Sequence, residues 1–153
     1  TLARLLQALD PQPLENILYI AGGTGYGPAL LSHMSAHIIA LDCEETFTQQ
    51  AEKLVHDLNL SFIEIILGPL REGWEAKAPY DKIFIEGGVD FIPHPLLSQL
   101  KAGGKLITIK HQQTQASRAI QIDNTKGTLT EINLFDAFAP RLKPNRKQKS
   151  FIF

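Results

Sequence analysis

Short runs of almost wholly apolar residues recur along the chain, separated by stretches with helical spacing, and the first run ends in a cluster of glycines. Half-exposed strands alternate between apolar and polar residues. Strands that are apolar throughout are buried on both faces, as in a parallel sheet with helices above and below. The runs at residues 16–20, 37–41, 61–67, 80–85 and 105–109 therefore predict five strands. Between them, Leu2, Leu5, Leu6 and Leu9 mark a helix that Asp10-Pro11 stops. Pro28 predicts a helix start, since proline lacks the N–H that a first turn leaves unpaired. Residues 44–58 read as a third helix, with Phe47, Ala51, Leu54, Val55 and Leu58 on one face, and residues 95–100 as a short fourth. Ala102-Gly103-Gly104 turns the chain into the fifth strand.

After Ile109 the rhythm changes. Residues 119–122 and 128–134 are strand-like and flank Asp123-Asn124-Thr125-Lys126-Gly127, a hairpin signal. The expected fold is thus α/β and Rossmann-like, mostly parallel, with residues 16–20 central, flanked by residues 37–41 and 80–85. An antiparallel hairpin lies at the C-terminal edge. A basic, proline-broken stretch from Arg141 to Lys149 and the apolar Phe151-Ile152-Phe153 close the chain and read as a tail. No repeat, linker or low-complexity segment divides the sequence, so residues 1–153 read as one domain.

Composition narrows the class of function. A content of 44% hydrophobic and 20% charged residues fits a globular domain. A net charge of −1 supplies no positive field for nucleic acid or a membrane surface. The single cysteine, Cys43, rules out an intramolecular disulfide and is compatible with a cytoplasmic location. The chain opens on Thr1 directly in a helical pattern, which leads us to expect a further N-terminal segment in the natural protein.

The chemistry concentrates at strand ends. Ala21-Gly22-Gly23-Thr24-Gly25-Tyr26 follows the first strand, where open parallel sheets bind ligands. Glycines there admit a ligand that a Cβ would repel; they also make tight turns. Spaced from Gly23, the third glycine of a dinucleotide fingerprint would fall on Pro28, which weakens a nicotinamide reading. Asp42 ends the next strand. A carboxylate there can accept bonds from ribose hydroxyls, or cap the following helix. Together, loop and acid indicate an adenosine-containing cofactor, without choosing between nicotinamide and S-adenosylmethionine. Glu86, after the fourth strand, can meet a substrate or a cofactor amine, or be a solvated strand end. Cys43 reads as a small strand-end residue. The five histidines show no metal-ligand spacing, and no nucleophile pair stands out.

Three segments carry a resemblance. Residues 17–26, Ile-Leu-Tyr-Ile-Ala-Gly-Gly-Thr-Gly-Tyr, resemble the first cofactor-binding motif of protein-L-isoaspartate O-methyltransferases. Gly73-Trp74 followed by Ala78-Pro79-Tyr80-Asp81, and then Gln99-Leu100-Lys101 with Gly103-Gly104, resemble that family's path through its fourth and fifth strands. Order and spacing hold over roughly residues 14–109. The resemblance implies a seven-stranded methyltransferase sheet with the last strand inserted antiparallel. It also implies S-adenosylmethionine as cofactor and methyl transfer to isoaspartyl carboxylates in damaged proteins, a repair reaction. By position, Gly22 to Tyr26 cradle the methionyl part, with Ala21 and Cys43 beside them. Asp42 holds the ribose, and Gly68, Pro69 and Leu70 border the adenine.

The sequence departs from the family pattern at Pro69, where an acid usually reaches the adenine amino group. It departs again at Ala21, usually glycine, and at Tyr19, commonly an acid. The family's substrate loop has no counterpart before Leu14. No catalytic side chain is implied, because a carboxylate attacking a sulfonium needs alignment rather than acid–base help. The alternatives left open are a non-catalytic methyltransferase-fold binding protein, a methyltransferase for another substrate, and a nicotinamide oxidoreductase.

Overall fold

The computed structural model describes residues 1–34 and 37–142. The tail from Lys143 onward lies outside the described residues. Within them, seven strands form one sheet in the order β3-β2-β1-β4-β5-β6-β7. They are β1 (Asn16–Ile20), β2 (His37–Asp42), β3 (Ile63–Leu67), β4 (Tyr80–Val89), β5 (Leu100–Lys110), β6 (Arg118–Thr125) and β7 (Thr128–Asp136). The first five run parallel, β1 lies between β2 and β4, and the hairpin joins the β5 edge antiparallel, as the residue pattern predicts.

The apolar runs are explained by burial on two faces. Leu18 and Ile20 pack into one core with Leu41, Ile83 and Leu106. Ile17 and Tyr19 pack into the other with Leu9, Leu31, Phe84 and Ile107. Helix α1 (Leu2–Leu9) buries Leu5, Leu6 and Leu9 in this second core. It ends where Asp10 turns left-handed, with its N–H on the carbonyls of Leu6 and Gln7. Lysines from β4 and β5 reach the end of this helix: Lys105 Nζ donates to Ala8 O at 3.0 Å and Lys82 Nζ to Asp10 O at 3.2 Å. Two cations at a helix C-terminus meet its negative dipole end.

Helix α2 (Tyr26–Ser32) begins two residues before Pro28, which still falls in the first turn. Helix α3 (Glu45–Asp57) buries Thr48 and Ala51, but its anticipated face is cut short at both ends. Phe47, in the first turn, is 42% exposed, and Leu58, just past the last, is 54% exposed. Helix α4 (His94–Ser98) precedes β5. Gln99, buried behind it, fixes the preceding loop: its Oε1 accepts from Trp74 N–H at 3.0 Å and its Nε2 donates to Glu72 O at 2.8 Å.

Three features differ from expectation. The fifth strand starts at Leu100, so Ala102-Gly103-Gly104, expected as a turn, lie within it at a shift in its pairing with β4. The last strand is not inserted: β6 pairs with β5, and β7 lies outside β6. The turn between them is only Lys126-Gly127, both at positive φ, and so tight a turn returns the chain along the one edge of β6 that β5 leaves free. The fourth strand also continues past Ile85 to Val89, through an irregularity in its pairing with β5. Phe84 pairs with Ile107 but Gly88 with Ile109, so Ile85, Glu86 and Gly87 oppose Thr108 alone. The buried Thr108 hydroxyl donates to Ile85 O at 3.2 Å and approaches Gly87 O at 3.4 Å, serving carbonyls that the bulge displaces from the ladder.

Among the described residues, no helix is long and apolar enough to cross a membrane.

Candidate functional site

At the carboxyl ends of β1, β2 and β4 the structure opens a cleft of about 580 Å³. This is where the strand order reverses direction, the place where open α/β sheets hold ligands. Its volume is that of a small-molecule site. Ala21 and Gly23 enter it from β1, Asp42 and Cys43 from β2, and Glu86 and Gly87 from the β4 bulge, with Leu70 closing one side. A larger groove near Trp74 and Pro79 lies at the opposite, amino end of β4.

The glycine loop turns sharply. Ala21, Gly23 and Gly25 all have positive φ, at 64°, 57° and 95°. Nothing lies within 4 Å of where a Gly23 Cβ would project, so the backbone there is open to a ligand. Gly22 and Gly25 serve packing instead: a Cβ would meet Pro28 at 2.9 Å and Ala51 at 3.2 Å, respectively. Thr24 and Tyr26 are exposed and do not line the cleft. Gly68 and Pro69 are not part of the lining. Of the residues named from sequence, the fold thus brings together Ala21, Gly23, Asp42, Cys43, Leu70 and Glu86.

Asp42 organises this end of the sheet. Its Oδ2 accepts from Gly23 N–H at 2.9 Å and its Oδ1 from Glu44 N–H at 3.1 Å. Its own carbonyl accepts from Gly68 N–H at 3.0 Å. One carboxylate therefore staples the glycine loop of β1 to the turn after β2. Burial pushes its pKa upward, and the backbone N–H groups of Gly23, Glu44 and Cys43 partly offset that. Burial likewise raises Glu86, helped by the nearby Asp42 charge and opposed by Tyr19. Tyr19 is fully buried beneath Gly27, where a Cβ would lie 1.8 Å from its hydroxyl. That hydroxyl has no partner at ordinary hydrogen-bond distance. It nevertheless feels the Glu86 carboxylate, and burial with that charge pushes its own pKa up.

Sequence reasoning missed the remaining lining: Glu44, Phe47 and residues 139–142. Leaving β7, the chain crosses the ends of β5 and β4. Gly88 N–H donates to Pro140 O and Leu142 N–H to Gly88 O, each at 2.9 Å, while His111 Nε2 lies 2.8 Å from Ala139 O. Arg141 Nε donates to Asp90 at 2.9 Å on the rim. No local pattern could have placed this strap, because it depends on a contact between residues more than fifty positions apart. Among the described residues, no group of His, Cys, Asp and Glu is placed to hold a metal ion.

Comparison with known proteins matches this arrangement. The family model for protein-L-isoaspartate(D-aspartate) O-methyltransferase matches residues 1–138. Protein-L-isoaspartate O-methyltransferase of Gloeobacter violaceus is 30% identical over 145 residues, covering 93% of this chain and 71% of the relative. Protein-L-isoaspartate O-methyltransferase 2 of Shewanella sediminis is 35% identical over 105 residues, 69% of this chain and 43% of the relative. The chain spans about half the length of several of the curated relatives it matches. A solved protein-L-isoaspartate O-methyltransferase superposes with a TM-score of 0.83 at 22% identity, over 91% of this chain and 45% of its own. A Plasmodium falciparum protein assigned to the same family, solved with S-adenosyl-L-homocysteine, superposes at 0.73 and 20% identity, over 94% of this chain and 72% of its own. At these identities the structural likeness is one of fold, and the sequence matches carry the assignment: the chain belongs to the protein-L-isoaspartate(D-aspartate) O-methyltransferase family.

Proposed function

We propose that this chain binds S-adenosylmethionine in the cleft and directs methyl transfer to isoaspartyl carboxylates of proteins. The observation that carries the reading is the stapled glycine loop at the switch point between β1 and β4, facing a second strand-end acid. The donor set fits the cofactor. Asp42 presents oxygens that already accept N–H bonds and retain lone pairs for ribose hydroxyls. The open backbone at Gly23 admits the methionyl chain, and Leu70 and Phe47 offer apolar surface to a flat ring. Pro69, in the place of the family's usual acid, withholds one adenine contact.

When bound, the cofactor would supply a methyl group on a sulfonium, already activated for displacement. The chain's own residues bind, orient and limit water. The loop and Asp42 hold the nucleoside, and Leu70, Phe47 and the strap at residues 139–142 enclose it. The acceptor carboxylate is nucleophilic at neutral pH, so alignment supplies the rate enhancement. The partner is an isoaspartyl-containing protein or peptide, and the setting is the cytoplasm.

The test is calorimetric titration with S-adenosylhomocysteine and with NAD, followed by a radiolabelled methyl-transfer assay on an isoaspartyl peptide. Binding of the former alone, with label transferred, supports the reading. Tight NAD binding overturns it. A second reading, a non-catalytic binding protein, draws on Pro69; binding without transfer to any isoaspartyl peptide would favour it.

A further inference from the structure

We propose that two copies of this chain associate edge to edge, pairing their β3 strands antiparallel about a two-fold axis at Ile65. This surface lies apart from the cleft, and no residue of the groove beside it lines the cleft.

Among the described residues β3 pairs with β2 alone, so its other side is a free edge. Phe62 O accepts from Ile38 N–H at 2.9 Å, and Gly68 N–H donates to Asp42 O at 3.0 Å. In a parallel ladder each residue turns its N–H and C=O to one side, and successive residues turn to opposite sides. Phe62, Glu64, Ile66 and Gly68 therefore serve β2, while Ile63, Ile65 and Leu67 aim their backbone groups outward. Ile63 N–H is taken up by Leu60 O at 3.3 Å, which leaves the N–H groups of Ile65 and Leu67 for a strand alongside. Proteins protect such edges with bulges, charges or proline. The opposite edge, β7, has a bulge at Leu134 and the ion pairs Lys110–Glu131 and Arg118–Asp136. The β3 edge has neither proline nor bulge, and Glu64 is its one charged residue.

Charge and shape specify self-pairing. Side chains directly opposite in an antiparallel pair share a face, so the register must centre on a residue. Centring on Glu64 would set two carboxylates against each other. Centring on Ile65 avoids this and pairs all 5 residues of the strand. Ile65 then exchanges both N–H···O bonds with its counterpart, and Leu67 N–H meets the partner's Ile63 carbonyl. A groove of about 530 Å³ runs beside the edge, with Val55, Leu60, Ile63 and Ile65 as its apolar wall. In this register the partner's Leu67, 51% exposed in a single copy, comes opposite Ile63 and enters the groove. Helix α3 borders the groove with Glu52 and His56, one turn apart. The two-fold axis runs the two α3 helices antiparallel and brings Glu52 of one copy toward the partner's His56, a complementary pair. The contact is the same patch on both copies, so it closes as a dimer.

Sedimentation equilibrium of the whole chain should show a monomer–dimer equilibrium. Because the paired edge is short, its dissociation constant should be on the order of ten to a hundred micromolar. Leu67→Lys, at an exposed position, removes the inserted side chain and adds a cation to the edge. It should weaken association about tenfold or more while the urea midpoint stays at the wild-type value. Leu129→Lys makes the same change on β7 and should leave the dimer intact. Amide exchange followed by NMR needs no variant: the Ile65 and Leu67 N–H groups should exchange several-fold more slowly at high protein concentration than at low. A monomer at every concentration overturns the proposal and leaves the edge to an extended segment of another protein. A dimer that survives Leu67→Lys, one that is lost in Leu129→Lys, or one that leaves the Ile65 amide unprotected overturns it as well.

Discussion

Replacing Asp42 with alanine tests the stapled loop directly. The carboxylate is 7% exposed and accepts N–H bonds from Gly23 and Glu44 at 2.9 and 3.1 Å. Hydrogen bonds to a charged group contribute about 1.5–3 kcal/mol each, and a buried donor left unpaired costs a similar amount. Two such bonds set an upper bound near 6 kcal/mol. Two effects reduce it. The raised pKa shows that burial opposes the charged form, so part of the gain is already offset. The cleft beside it also lets water reach the freed N–H groups. A loss of about 2–3 kcal/mol in urea unfolding is therefore expected. S-adenosylhomocysteine affinity should fall in the same variant by on the order of tenfold to a hundredfold, since the ribose acceptor and the loop geometry go together. Asp42→Asn keeps one acceptor oxygen and turns an amide N–H toward the other donor, so it should fall between wild type and Asp42→Ala. A wild-type unfolding midpoint and slope in Asp42→Ala would refute the staple. Lost stability with intact affinity would move the ribose elsewhere.

The strap should depend on the absence of a side chain at Gly88, where a Cβ would lie 2.7 Å from Ala139 O and 2.1 Å from His111 Nε2. Gly88→Ala should displace residues 139–142 and speed proteolysis there several-fold; an unchanged cleavage pattern would contradict this. Gln99→Ala leaves the Trp74 N–H and Glu72 carbonyl without their partners and should cost about 2–3 kcal/mol, read as a lowered urea midpoint at constant slope. The two raised carboxyls predict a sign for pH. Above the ordinary carboxylate range and up to their raised values, the folded protein holds more protons than the unfolded chain. Its stability therefore falls as pH rises through that window. The slope should flatten in Glu86→Gln, and a slope identical to wild type would count against Glu86 burial.

The sheet was legible because its signal is local. Residues 16–20 are apolar at nearly every position, and a strand that must be buried on both faces can be little else than central. The β1 bounds match, and β2 and α1 match to within a residue. The turn Lys126-Gly127 likewise announces a hairpin through its own backbone demands. Glycines after β1 and an acid after β2 were enough to locate the cleft, because strand ends of a parallel sheet converge whatever the loops do.

Tertiary structure decided what each of these residues does there. Asp42 is seen in sequence as a strand-end acid; only the folded chain shows it holding the loop of another strand. Gly22 and Gly25 look like cradle residues but make room for Pro28 and Ala51, because helix packing sets which side of a loop faces solvent. Phe47 fits the apolar stripe of α3 and still lines the cleft, since periodicity within a helix does not show what other elements leave open beside it. The β4 bulge, the orphaned Tyr19 hydroxyl and the strap over Gly88 have no local signature at all. Each arises from a register, a cavity or a long-range pairing, and these are properties of two segments meeting rather than of either segment alone.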